Sequence, residues 1–282
     1  MNILLSKIIL LTFTINLVFV GIDAGKKPRI YYGENADIKD YPYMAIVGSK
    51  IHTDNSSRCG GTIIHRKFVV TAARCISKCT CIEEAANRKK IVKCVRYSCK
   101  LVEPGTIWVR AGSTFGHQRA IQNDEASKLI YHPLYDGKHR FDVGLIKLKN
   151  AIDIPYTKAL PLKLPRPRDV INSTATAFTL GWGLTDKPTN NVLQKANLEI
   201  LSNDQCEWHM NLTESPLEDS HVCAGDSGGI CFGDAGAPLI YDNKLHGIAT
   251  FPISVDCESE MPSLFLRLPL VLDWLAYALI YL

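Results

Sequence analysis

The sequence predicts an all-β protein, a sandwich or barrel of many short strands, ending in one C-terminal helix. Three observations carry that prediction. Short runs rich in β-branched and aromatic residues recur along the chain, bounded by Gly, Pro, Asn and other turn residues. No long helical periodicity interrupts them after Ile30. The final stretch, from about Pro269 to Leu282, is free of Gly and reads as a helix. With 282 residues, 46% of them hydrophobic, the chain can bury a substantial core, and it carries no internal repeat or low-complexity tract.

The first element stands outside that core. One positive charge in Met1–Lys7 precedes an almost uninterrupted apolar run from Ile8 to Ile22, and small residues follow at Ala24 and Gly25. The run is shorter than the about 20 residues of a membrane span. Charge, apolar run and small residues in that order make residues 1–24 a secretory signal peptide, followed by a short segment at 25–29. Strands are then expected over Tyr43–Val47, Gly61–Ile64, Phe68–Thr71, Thr106–Ala111, Val143–Leu148, Ala175–Leu180, Ala196–Ile200, Pro238–Tyr241, Leu245–Thr250 and Ser263–Arg267.

The ten cysteines suit a chain that matures in an oxidising compartment and pairs its thiols. Asn55, Asn172 and Asn211 each open an Asn-x-Ser/Thr triplet, a glycosylation site only on the secretory route. A secreted, extracellular protein is expected. Its net charge of +4 is unevenly spread. Residues 76–100 hold seven basic side chains (Lys78, Arg88, Lys89, Lys90, Lys93, Arg96, Lys100) against Glu83 and Glu84, a net +5, so the rest of the chain sums to −1.

Several motifs narrow the fold further. Cys59-Gly60-Gly61-Thr62-Ile63-Ile64 precedes Val70-Thr71-Ala72-Ala73-Arg74-Cys75. Phe141-Asp142-Val143-Gly144-Leu145-Ile146, Leu180-Gly181-Trp182-Gly183, Val222-Cys223-Ala224-Gly225 and Leu245-His246-Gly247-Ile248 follow, with Pro262 and Asp273-Trp274 near the end. In this order they resemble the chymotrypsin-like serine proteases from Ile30 to Leu282. The resemblance implies two packed six-stranded antiparallel barrels with a cleft between them, in a trypsin-like peptidase domain over 30–282. It also implies the bridges Cys59–Cys75, Cys206–Cys223 and Cys231–Cys257.

The chemistry departs from that family. Peptide hydrolysis there needs a Ser nucleophile, a His base and an Asp to orient the base. Arg74 stands at the His position, and a guanidinium stays protonated and has no acceptor lone pair. His65, nine residues earlier at a strand start, cannot replace it. The nucleophile motif occurs twice, as Cys223-Ala-Gly-Asp-Ser227-Gly-Gly and as Cys231-Phe-Gly-Asp-Ala235-Gly-Ala-Pro238. The second copy keeps the closing Pro and the family's distance to Thr250, and it leaves Cys206 and Cys231 with their family partners. Ala235 is therefore expected at the nucleophile position, with Asp142 and an oxyanion-hole remnant at Gly233. Burial of Asp142 beside Arg74 predicts an ion pair between them, joined by the Thr250 hydroxyl.

The substrate cleft has changed as well. Thr250-Phe251-Pro252 stands where active relatives pair with the substrate backbone, and proline has no N–H to donate. Gly229 occupies the pocket floor, and Ser263 replaces a Gly on the pocket wall. Arg29-Ile30 resembles the family's activation site, and Asp234, which pairs with the new terminus in active relatives, is retained. Residues 76–100 form an insertion that the family pattern lacks. Its cysteines, Cys79, Cys81, Cys94 and Cys99, are expected to form disulfides rather than a metal site, paired 79–94 with 81–99 or 79–99 with 81–94.

These readings predict a non-catalytic homologue that acts by binding, as a decoy, cofactor or antagonist in a protease cascade. The alternative is a weak endopeptidase using Ser227. A protein partner is expected, and the basic 76–100 segment is a candidate contact for polyanions. No cofactor, metal, nucleic acid or membrane partner is expected.

Overall fold

The computed structural model describes residues 33–50, 58–86, 91–116, 122–153, 159–183, 192–210, 219–225, 229–250 and 261–282, without the side chains of 83–86, 91–95 and 210. The expected signal peptide, Arg29, Ile30, Asn55, Asn211, Ser227, Phe251, Pro252 and Cys257 lie outside the described residues.

The chain runs β1 (Glu34–Asn35), β2 (Met44–Ser49), β3 (Arg58–His65), β4 (Phe68–Thr71), β5 (Ser77–Ala86), β6 (Ile91–Leu101), β7 (Ile107–Ala111), β8 (Gln122–Tyr131) and β9 (Gly144–Leu148). There follow β10 (Thr176–Gly181), β11 (Gln194–Leu201), helix α1 (Asn203–Met210), β12 (His221–Ala224), β13 (Pro238–Tyr241), β14 (Lys244–Ala249), β15 (Ser263–Arg267) and helix α2 (Leu272–Tyr281). The first barrel closes in the order β2-β3-β4-β9-β8-β7. The second runs β11-β10-β13-β14-β15-β12 and closes through the β11–β12 pairing, with β1 added outside β11. Both are antiparallel throughout, six strands each, as the family resemblance implies.

Side-chain alternation explains why two barrels form and stay together. On β4, Val69 points into the first barrel while Phe68 and Val70 point to the layer between the barrels. On β9, Ile146 and Leu148 go inward and Leu145 goes to that layer. The second barrel contributes Leu180, Ile240, Leu245, Ile248 and Leu266 to the same layer, and α2 covers it with Leu275 and Ala278, two positions one turn apart. Each such fully buried leucine or isoleucine is worth about 1.5–3 kcal/mol relative to exposure. Phe265, Leu198 and Leu239 fill the second barrel itself.

Beyond β1 and β12, two short strands that the sequence reading does not place, three regions depart from it. The first is α1, where a helix was not expected. Ser202 Oγ accepts from Gln205 N at 3.2 Å and Gln205 Oε1 accepts from Ser202 N at 2.9 Å. That is a reciprocal capping box, legible in Ser202-x-x-Gln205 but overlooked beside the strand signals. Second, β8 was missed because its first half, Gln122-Asn-Asp-Glu125, is polar. It pairs with both β7 and β9, and barrel closure overrides its local preference. Third, β5 and β6 of the 76–100 segment pair antiparallel as their own two-stranded sheet, with a register shift between Ile82 and Glu83.

Candidate functional site

Arg74 lies on a single 3-10 turn, Ala73–Cys75, directly after β4. The Cys59–Cys75 disulfide ties that turn back to β3. Asp142 lies two residues before β9, after Phe141, which takes a positive φ of 49°. The Phe141 ring stacks on His132 at 4.6 Å between centroids, which holds the strained turn in place.

The two elements meet at the carboxylate. Arg74 N donates to Asp142 Oδ1 at 3.0 Å and Arg74 Nε to Oδ2 at 2.5 Å, and the Ala73 amide adds a further bond. The outer guanidinium nitrogen Nη2 donates to the Lys138 carbonyl. The Asp142 side chain is fully buried while that of Arg74 is 24% exposed. Burial pushes the Asp142 carboxyl up to about 6, and the guanidinium and the two amides pull against that rise. The ion pair expected from the sequence is present. Thr250 is not part of it, because its hydroxyl donates to the Leu264 carbonyl at 3.1 Å, satisfied within its own barrel. His65 is also elsewhere, at the end of β3, with Nδ1 accepting from Lys67 N.

Ala235 lies beside this turn. Its carbonyl accepts from Gly60 N at 2.8 Å, and Gly236 N donates to the Ala249 carbonyl at 2.7 Å. Gly236 has φ +83°, and a Cβ there would lie 2.3 Å from Thr71 Oγ1 and 2.4 Å from Gly60 O. Only glycine fits, so the Ala235–Gly236 step is wedged between β3 and the end of β4, against Gly60, Thr71 and Ala72. The sequence reading did not single out this cradle of Gly60, Thr71 and Ala72, although the Gly60-Gly61 doublet marks a close backbone approach. The Cys206–Cys223 bridge is formed, and Cys231 is disulfide-bonded.

Asp234 is buried below that step. It accepts from Gly183 N at 2.8 Å and Cys231 N at 3.0 Å, and burial pushes its carboxyl up to about 6. Gly233 packs on Gly183, where a Cβ would come within 3.1 Å of the Gly183 Cα. At the second barrel's open end, Gly229 and Ser263 come together. A Cβ on Gly229 would lie 1.9 Å from Ser263 Oγ, which accepts from Ile230 N at 3.0 Å. The serine side chain thus fills the space beside the glycine. Asn172 is exposed.

Among the insertion cysteines, Cys79 and Cys99 are bridged, directly opposite each other across β5 and β6. Cys81 is disulfide-bonded too. The Cys79–Cys99 bridge rules out the 79–94 with 81–99 alternative, and the Cys94 side chain lies outside the described residues. No cluster of metal-binding side chains occurs among the described residues, and no described helix is long and apolar enough to cross a membrane.

Two antiparallel six-stranded barrels with a C-terminal helix define a chymotrypsin-like fold. The family described as Trypsin matches residues 30–275, and the chain belongs to it. It is 32% identical to a chymotrypsin of Phaedon cochleariae over 79% of this chain and 72% of that one. It is 31% identical to the clotting factor G beta subunit of Tachypleus tridentatus over 88% of this chain and 78% of that one. Among solved structures it is similar to the scabies mite inactivated protease paralogue S-D1, with a TM-score of 0.70 and 22% identity, covering 88% of this chain and 97% of that one. At that identity the likeness concerns the fold alone.

Proposed function

We propose that this chain is a secreted trypsin-family protein that binds rather than cuts. In this reading residues 1–24 are a leader, 25–29 a short segment ending at an activation-like Arg29-Ile30 bond, and 30–282 a peptidase-like domain with an inserted hairpin. Arg74, Asp142 and Ala235 hold the positions of base, orienting acid and nucleophile.

The observation that carries the reading is the Arg74–Asp142 pair beside Ala235. A permanently protonated guanidinium cannot accept a proton from a nucleophile, and an alanine methyl offers no nucleophile to activate. Losing both costs on the order of a millionfold in rate, about 8 kcal/mol of transition-state stabilisation. The filled space at Gly229 and Ser263 adds a second obstacle, since a substrate side chain has less room at the pocket floor. The partners are a protein of a protease cascade, in keeping with a relative named as a clotting factor, and a polyanion at the 76–100 segment.

Labelling of the secreted, folded protein with a serine-directed fluorophosphonate tests the reading. No adduct is expected, before or after cleavage behind Arg29. A stoichiometric adduct on Ser227 would replace this reading with the endopeptidase one.

A further inference from the structure

We propose that the outer face of the β5–β6 hairpin binds a linear sulfated polysaccharide through Lys78, Arg96 and Lys100. This rests on reading the 76–100 segment as a polyanion contact. It does not depend on whether the cleft is catalytic.

Exposure alternates along both strands. Lys78, Thr80 and Ile82 on β5 and Arg96, Ser98 and Lys100 on β6 are exposed, while Cys79, Cys81, Tyr97 and Cys99 are half-buried. The register sets Lys78 opposite Lys100, Thr80 opposite Ser98 and Ile82 opposite Arg96. The outer face is therefore three cross-strand rows, two ammonium groups, then two hydroxyls, then an isoleucine with a guanidinium.

The inner face is already occupied by the loop that leads to Asp142. Tyr131 Oη donates to the Cys99 carbonyl at 2.9 Å, Gly137 packs against Tyr97 and Cys99 Sγ, and Lys138 Nζ lies 5.5 Å from the Tyr97 ring centroid. The hairpin is thus fixed in orientation, and the Cys79–Cys99 bridge locks the row between the lysines and the hydroxyls. Ligand binding to such a face does not have to order it first.

Like charges directly opposite one another weaken a strand pair. Neither Lys78 nor Lys100 is ion-paired with a described carboxylate. A bound anion would relieve that repulsion. Arg96 and Lys100 are four residues apart on one strand, about 13 Å at the usual strand rise. That span suits a polymer with repeating anions better than a single small ion. The hydroxyls of Thr80 and Ser98 between the cations can hydrogen-bond sulfate and sugar oxygens. The described part of the face has no aromatic ring on which a base could stack, and Ile82 is its single large apolar side chain, too little to enter a bilayer.

The test is binding of the full secreted protein to fluorescent heparin oligosaccharide at about 0.15 M ionic strength. Lys78→Gln with Lys100→Gln is compared with Arg88→Gln, Lys89→Gln and Lys90→Gln combined, and with Thr80→Glu. Thermal melting and absence of titratable thiol report the fold of each variant. The lysine pair variant and Thr80→Glu are each expected to weaken binding about tenfold or more. If only the 88–90 variant loses binding, the polyanion reading survives and this face is overturned. If the unmodified protein does not bind heparin, both are overturned. Equal affinity for duplex DNA or phosphatidylserine vesicles overturns the commitment to a sulfated polysaccharide.

Discussion

Asp142 and Asp234 are both enclosed in the protein, and burial raises the carboxyl of each to about 6. The groups that face them differ. Asp142 meets a permanent cation and two amides of the Ala73–Arg74 turn, whereas Asp234 meets only the amides of Gly183 and Cys231 among the described residues. One carboxylate has its counter-charge built in by a substitution. The other keeps the form of a site whose counter-charge comes from elsewhere, the role that the freed Ile30 ammonium plays in the proposed reading of Arg29-Ile30.

The largest effect expected from this difference follows from removing Arg74. Arg74→Ala leaves a buried carboxylate with amides alone. It should destabilise the fold by about 3 kcal/mol at pH 7, the low end for breaking a buried pair because the guanidinium is partly exposed. Urea unfolding measures this. A loss below about 1 kcal/mol would mean that the pair contributes no more than a surface ion pair.

A smaller effect appears in the pH dependence. The ordinary Asp value of 3.8 rises to about 6 in the folded protein for both residues. Between those values the folded state holds more protons than the unfolded state, so stability falls as pH rises. Each group contributes a slope of up to about 1.4 kcal/mol per pH unit in that window. Asp234→Asn should remove one group's share and flatten the unfolding profile between pH 4 and 6. An unchanged slope would show that Asp234 is already paired in the uncleaved chain.

Cleavage behind Arg29 gives a third, smaller effect. If the new ammonium reaches Asp234, melting should rise by a few degrees and the rise should vanish in Asp234→Asn. A rise of equal size in that variant would separate cleavage from Asp234 altogether.

The comparison also marks what the sequence could and could not reveal. Arg74 and Asp142 were legible because each replaces or retains one residue inside a fixed run, and a buried charge leaves few alternatives for its partner. Three strands, β4, β13 and β15, begin and end where the pattern of apolar residues places them. The third member of the expected network, Thr250, was misplaced because a hydroxyl can be satisfied by any nearby carbonyl, here that of Leu264, which sequence does not specify. The sequence reading places no strand in residues 76–100, because charge masks strand preference there. The hairpin's order comes from long-range docking on Tyr131 and Gly137, not from local propensity.

The smallest effect is expected where sequence change would seem most direct. Arg74→His with Ala235→Ser supplies base and nucleophile beside Asp142, yet good peptidase activity should not return. The scissile carbonyl must also be held in attack geometry, where a misplacement of about 1 Å costs on the order of 100-fold. Ser263 Oγ still fills the space beside Gly229, and Pro252 still lacks the N–H that a substrate backbone would use. The double variant should label weakly with fluorophosphonate and cleave peptides about 100-fold or more slower than an active family member. Adding Ser263→Gly should recover part of the difference by opening the pocket floor, at the cost of the Ile230 N hydrogen bond. If the double variant alone cleaved peptides at the rate of an active relative, Ser263 and Pro252 would be no obstacle. The block to catalysis would then lie wholly in the Arg74–Asp142 pair and Ala235, and Asp234 would already hold its oxyanion-side loop in working shape without cleavage.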